Sequence, residues 1–103
     1  MVPAKGLFEK VKAICEANGI LFIADEIHSG MGRTVRMFAI EHDDVEPESI
    51  CLGKSLSAGL PLSVVTGKRE IMDCPPLGSL GGTYGRIPVA CSVTLAVLDI
   101  LNN

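Results

Sequence analysis

The spacing of apolar and polar positions predicts a helix and then a buried strand at the start of the chain. Charged residues occupy one helical face there, and Asn18-Gly19 is a typical helix end. The opposite face carries apolar side chains at helical spacing: Leu7, Phe8, Val11, Ile14 and Cys15. Residues 20–24 form a run of mostly branched apolar side chains, which is typical of a strand covered on both faces. This order predicts an α/β layer.

Two further strands are predicted downstream. Residues 49–53 can pair in parallel with the first strand, because the intervening segment 26–48 is long enough for a crossover. Residues 62–66 follow a connection, 54–61, that is shorter than a parallel crossover usually requires. We therefore expect the third strand to run antiparallel to the second.

The remaining segments predict short helices and one long apolar helix. A short helix is expected at 36–42 and a helical turn at 69–73, followed by a Pro- and Gly-rich loop at 74–86. Pro88 suits the first position of a helix, and residues 89–101 are apolar almost all the way round. Such a helix should be buried on every side. Three strands cannot cover it, which indicates a single partial domain, 1–103, of a larger fold or an oligomer.

Composition narrows the classes of partner and the compartment. The chain has 103 residues, 48% of them hydrophobic, and a net charge of −3 without a Lys/Arg cluster, which argues against a nucleic-acid partner or an anionic membrane surface. No apolar segment reaches the roughly 18 residues of a spanning helix. Four cysteines without a C-x-x-C pair indicate reduced packing residues. A cytoplasmic location is expected, with an organelle matrix as the alternative.

Charged residues follow two of the predicted strands directly. Asp25 follows the first strand and Lys54 the second, so parallel strands would place both at the carboxyl edge of the sheet, where open α/β folds bind ligands. Pyridoxal 5′-phosphate requires such a pair, because its aldehyde condenses with a lysine and its ring nitrogen must stay protonated. A carboxylate beside that nitrogen holds the proton.

Two other interpretations of these residues are weaker. Asp25-Glu26-Ile27-His28 has the form of a Walker B strand, but a phosphate loop ending at Gly53-Lys54-Ser55 would need glycine where Glu48 stands, and it would normally come first in the chain. An ATPase of the P-loop type is thus a remote alternative. No metal site is expected, since Asp25 and His28 are not joined by a metal-binding motif.

Three stretches resemble the class III (omega) aminotransferases, the group of 4-aminobutyrate and acetylornithine aminotransferases within fold type I. They are "LFIADEIHSGMGRTVRMFAIEH", "LGKSLSAGLPLSVVTGKREIMD" and "LGGTYGRIPVACSVTLAVLDIL", in the family's order. The resemblance implies part of a three-layer αβα large domain, with a mostly parallel sheet and one antiparallel strand, 62–66. It also implies pyridoxal phosphate as cofactor and transfer of an amino group from an omega-amino acid or related amine to a 2-oxo acid.

The resemblance assigns a role to four positions. It implies that Asp25 pairs with the pyridine nitrogen and that Lys54 forms the Schiff base and moves the substrate proton. Thr83 matches the threonine that reaches the cofactor phosphate of the neighbouring subunit in a homodimer. His28 stands where the family usually has a glutamine bonded to the phenolic oxygen, and a histidine there adds a titrating group. Glu26, which follows Asp25, is expected to order the adjoining loop.

Much of the family's subunit has no counterpart in these 103 residues, including the arginine that commonly binds the substrate carboxylate. Since positioning supplies much of catalysis, the chain alone is expected to be inactive or a weak enzyme. One hypothesis is therefore a cofactor-binding segment that functions within a larger dimeric enzyme. The alternative is a non-catalytic fragment or gene remnant whose apolar last helix drives self-association.

Overall fold

The computed structural model describes residues 2–103. Within this range three helices and three strands form, joined by loops and two 3₁₀ turns. No helix in this range is both long and apolar enough to cross a membrane. The helices are α1 (Leu7–Ala17), α2 (Arg69–Met72) and α3 (Pro88–Asn102), the strands are β1 (Ile23–Asp25), β2 (Ser49–Leu52) and β3 (Val64–Gly67), and the 3₁₀ turns are Ala39–His42 and Lys54–Ser57.

The strands form one mixed sheet in the order β1-β2-β3. β1 pairs with β2 in parallel, whereas β3 runs antiparallel to β2, as the lengths of the connections predict. The register places Asp25 opposite Cys51 and Cys51 opposite Val65, so these three residues form one row across the sheet. The predicted α/β class, with one antiparallel strand, is confirmed.

Two strands begin two or three residues later than the sequence predicts. The N–H of Ile20 bonds back to the carbonyl of Cys15 at 2.9 Å, so the chain there is still leaving α1 and cannot join the sheet. At the other end of the sheet, Leu52 pairs with Val64, and β2 stops at that point. The two residues before Val64 therefore have no strand opposite them.

The core lies on one face of the sheet, under α3. Its buried centre consists of Met31, Leu52 and Leu56. Because side chains alternate between the faces of a strand, Ile50 and Leu52 of β2 both point to this side. Partly buried apolar residues surround the centre: Met37, Phe38, Ile50, Leu62, Val64, Val97 and Leu98.

Apolar surface outside this core is less covered than the sequence predicts. The strand expected at 20–24 is not enclosed on both faces, because Ile23 is 53% exposed. Helix α3 is not buried on every side either: Ala90 is its one buried residue, and Leu95 and Ile100 are 64% and 76% exposed. One layer of three strands covers a single face of a helix, so the other faces meet solvent in residues 2–103.

Charged side chains join α1 to the amino edge of the sheet. The Glu48 carboxylate, just before β2, accepts hydrogen bonds from Lys12 of α1, from Lys68 after β3 at 3.1 Å, and from the Phe22 N–H at 3.0 Å. We call Lys12, Glu48 and Lys68 the edge cluster. The edge cluster lies at one end of the parallel strands, and Asp25 and Lys54 lie at the other end.

Candidate functional site

Asp25 is the last residue of β1, and backbone bonds fix its position. The next N–H, that of Glu26, donates to the Cys51 carbonyl at 2.9 Å and so continues the pairing of β1 with β2. One carboxylate oxygen of Asp25, Oδ1, accepts the Ile27 N–H at 3.1 Å, a local turn typical of aspartate. The side chain is exposed, and the second oxygen has no partner within residues 2–103.

Lys54 follows the neighbouring strand, separated from its end by Gly53 alone. It begins the 3₁₀ turn Lys54–Ser57, which we call the lysine turn, and its φ of 47° lies in the left-handed region. Its side chain is exposed, and in the described chain its amine forms no ion pair. As predicted, Asp25 and Lys54 lie at the same edge of two adjacent parallel strands, and they do not neutralise each other.

Glu26 organises the loop that follows Asp25. Its side chain is buried, at 4% exposure, and Oε1 accepts the Ile40 N–H at 2.7 Å while Oε2 accepts the Ser29 hydroxyl. Its backbone carbonyl accepts the Gly30 N–H at 2.9 Å. A buried carboxylate is stable where such donors satisfy it. The expected loop-ordering role of Glu26 agrees with this geometry.

Ile27 belongs to the site although the sequence pattern did not single it out. A Cβ built on Gly53 would lie 3.4 Å from Cγ2 of Ile27, so this half-buried side chain packs over the glycine that precedes Lys54. Ile27 thus provides an apolar surface between the end of β1 and the lysine turn. The available signal was a lone apolar residue between Glu26 and His28.

His28 and Thr83 lie in exposed loops. His28 lies in the turn after Ile27 with its ring exposed, and Thr83 is exposed in the loop before α3. Neither side chain makes a hydrogen bond within residues 2–103. The structure therefore brings Asp25 and Lys54 to one edge and leaves the roles of His28 and Thr83 as predictions.

The chemistry of these side chains fits pyridoxal phosphate. Asp25 supplies a carboxylate with one free oxygen for a pyridinium N–H, and Lys54 supplies an exposed amine for the aldehyde. The absence of a direct ion pair between them in the described chain leaves both groups available to a ring. Ile27 offers an apolar surface against which an aromatic ring can pack.

The fold and the site define this chain as part of a fold type I α/β structure of the kind found in pyridoxal-phosphate enzymes. An ornithine aminotransferase structure from Toxoplasma gondii matches with a TM-score of 0.91 and 41% identity, over 98% of this chain and 24% of that one. An acetylornithine aminotransferase structure from Elizabethkingia anophelis matches with a TM-score of 0.90 and 40% identity, over 98% of this chain and 27% of that one.

The chain belongs to the class III aminotransferase family, whose model, Aminotransferase class-III, matches residues 1–103. It is 50% identical over 101 residues to a probable 4-aminobutyrate aminotransferase from Bacillus subtilis, covering 98% of this chain and 23% of the relative. A 4-aminobutyrate aminotransferase from Mycobacterium leprae is 46% identical over all of this chain and 23% of its own length. The chain thus spans about a quarter of these relatives. The family depends on pyridoxal phosphate, which confirms the predicted cofactor.

Proposed function

We propose that this chain supplies the cofactor-binding strand ends of a transaminase that moves an amino group from an ω-amino acid to a 2-oxo acid. The observation that carries the proposal is the placement of Asp25 and Lys54 at one edge of adjacent parallel strands, unpaired with each other. The donor class is supported by the names of similar proteins, which include 4-aminobutyrate, 5-aminovalerate and ornithine aminotransferases.

Each side chain has a separate task in this proposal. Pyridoxal phosphate, when bound, supplies the electron sink for the carbanion. Asp25 holds the proton of the ring nitrogen through a charge-assisted hydrogen bond, while the bond from the Ile27 N–H fixes the carboxylate. Lys54 would hold the cofactor through Nζ, and its free amine would take the proton from the substrate carbon and deliver it to the cofactor. Both tasks require a neutral amine.

His28 and Thr83 complete the proposed site. His28 follows Ile27 in the turn beside Asp25, and its ring can donate to an oxygen on the cofactor. Thr83 lies in a loop with neighbouring glycines, where a hydroxyl and backbone N–H groups can bind the phosphate of a cofactor in a second copy. Support for Thr83 comes from its exposure in this glycine-rich loop.

Borohydride mapping tests the lysine assignment. The chain is mixed with pyridoxal phosphate, reduced, digested and mapped by mass spectrometry. We expect the adduct on Lys54 rather than on Lys5 and Lys10, two exposed lysines that serve as internal controls. Lys54→Arg keeps the charge and should remove that adduct. Equal labelling of all exposed lysines, or a pattern unchanged by Lys54→Arg, would refute the assignment.

We also propose that the chain functions as a homo-oligomer. Ile23, Leu95 and Ile100 are more than half exposed, and covering such surface is favourable. The same surface supports the second candidate function, a non-catalytic chain that only self-associates. Light scattering tests oligomerisation, and a stable monomer would contradict it. Oligomers that never label Lys54 would favour the non-catalytic alternative.

The cytoplasmic location stays a prediction, supported by four free cysteines.

A further inference from the structure

The lysine turn is held in an unfavourable backbone conformation. Lys54 at its start and Ala58 just after its end both have φ of 47°. Residues other than glycine rarely adopt this left-handed region, and they remain there only when the surroundings impose it. The structure must therefore contain contacts that hold the turn in place.

Two buried side chains of the turn supply those contacts. Leu56 is 3% exposed and packs in the core beside Met31 and Leu52. Ser57 is fully buried, and its hydroxyl donates to the Ala90 carbonyl in the first turn of α3 at 2.9 Å. The leucine contact is non-directional, whereas the serine bond has a defined direction and length. Ser57 is therefore the contact that fixes the turn relative to α3.

We propose that Ser57 is a positioning residue that orients Lys54 toward the cofactor, an inference that rests on the proposed function. Its bond to Ala90 ties the last residue of the lysine turn to α3. Backbone bonds transmit that constraint through the turn, since the Ala58 N–H donates to the Ser55 carbonyl and the Leu56 N–H to the Gly53 carbonyl. Lys54 lies between these anchored residues.

Thr94 makes it possible to separate positioning from folding. Its hydroxyl is buried and has no hydrogen-bond partner within residues 2–103. A helical threonine commonly bonds the carbonyl four residues earlier, which here is that of Ala90, the carbonyl that Ser57 occupies. In Ser57→Ala, Thr94 can take over this carbonyl. We therefore expect the substitution to leave α3 intact while releasing the lysine turn from it.

Two measurements on the whole chain test the proposal. Without cofactor, Ser57→Ala should speed hydrogen exchange at the N–H groups of Leu56 and Ala58 by about five- to tenfold, the factor for one ordinary hydrogen bond. With pyridoxal phosphate and borohydride, the preference for Lys54 over Lys10 should fall by a similar factor, about five- to tenfold. Far-UV circular dichroism should stay unchanged.

Matched variants make the result decisive. Thr94→Val removes the unpaired hydroxyl but keeps the Ser57 bond, so both measurements should match those of the original chain. Ser57→Cys keeps a donor at this position, but a weaker one, and should give intermediate values, which covers the case in which Ser57→Ala fails to fold.

The outcomes separate this inference from the proposed function. A clear preference for Lys54 in the original chain that Ser57→Ala and Ser57→Cys leave unchanged would overturn the positioning role alone. Equal effects of Thr94→Val and Ser57→Ala would also overturn it, because they would indicate a general loosening of α3. An original chain that shows no preference for Lys54 would overturn the proposed function, and the positioning role with it.

Discussion

Replacement of Glu48 by glutamine should weaken the fold at neutral pH and remove part of its sensitivity to acid. The Glu48 carboxylate accepts bonds from both lysines of the edge cluster and from the Phe22 N–H, and its side chain is only 13% exposed. These bonds lower the pKa of Glu48 from 4.5 to about 2, with the largest effect from Lys12 and the next from the Phe22 N–H. The bond to Glu48 in turn raises the pKa of Lys12.

The lowered pKa sets both the size of the effect and its pH range. This difference between the unfolded-state and folded-state pKa of Glu48 would contribute about 3 kcal/mol to the free energy of unfolding if fully realised. Lys68 is 37% exposed, so water screens part of the interaction and about 1–2 kcal/mol is a more realistic contribution. Because the folded-state pKa is depressed, the contribution is present above pH 4.5 and is lost as the pH falls toward about 2.

Urea unfolding followed by circular dichroism between pH 7 and pH 2 would measure this contribution. Glu48→Gln should unfold more easily by about 1–2 kcal/mol at pH 7, and the gap should shrink as the pH falls from 4.5 toward about 2. Glu46→Gln, an exposed neighbour outside the edge cluster, is the matched control and should change little. Equal midpoints for Glu48→Gln and the original chain at pH 7 would refute the energetic role of the cluster, as would a gap that persists unchanged at pH 2.

Three substitutions test the backbone of the fold. Val35 is a β-branched residue, 96% exposed, whose φ of 70° lies in the left-handed region. Val35→Gly should therefore raise the free energy of unfolding, measured in urea, by roughly 0.5–1 kcal/mol. An unchanged free energy of unfolding would contradict backbone strain at Val35. Gly67→Ala should lower the free energy of unfolding by about 1–3 kcal/mol, because the new Cβ would lie 2.5 Å from the Glu48 carbonyl oxygen. An unchanged unfolding midpoint would contradict this close contact. Gly30→Ala places a Cβ 2.8 Å from the Glu26 carbonyl oxygen. Because this clash should loosen the loop after Asp25, the substitution should speed proteolysis there. An unchanged cleavage rate would contradict a tightly packed loop.

The elements and the sheet edge could be predicted because they depend on local patterns. Apolar runs located the strands, and the lengths of the connections gave the parallel and antiparallel pairs. Those two results were enough to place Asp25 and Lys54 at one edge. The bounds were less accurate because they depend on particular bonds, such as that between Ile20 and Cys15.

Long-range side-chain bonds could not be predicted from the sequence. Ser57 and Ala90 are 33 residues apart, and Lys12 and Glu48 are 36 apart, so no periodicity connects them. Ser57 itself reads as an ordinary loop serine in the sequence. Its burial follows from the packing of α3 over the lysine turn, which only the folded chain reveals.

The two edges of the sheet use charge in opposite ways. At the amino edge Glu48 is surrounded by donors, so its charge stabilises the fold. At the carboxyl edge the structure leaves the Lys54 amine and one oxygen of Asp25 without partners among the described residues. Paired charges contribute stability, whereas unpaired ones remain available for a ligand. Substitutions at the two edges should therefore separate the two properties: Glu48→Gln should change unfolding but not the labelling of Lys54, and Lys54→Arg should do the reverse.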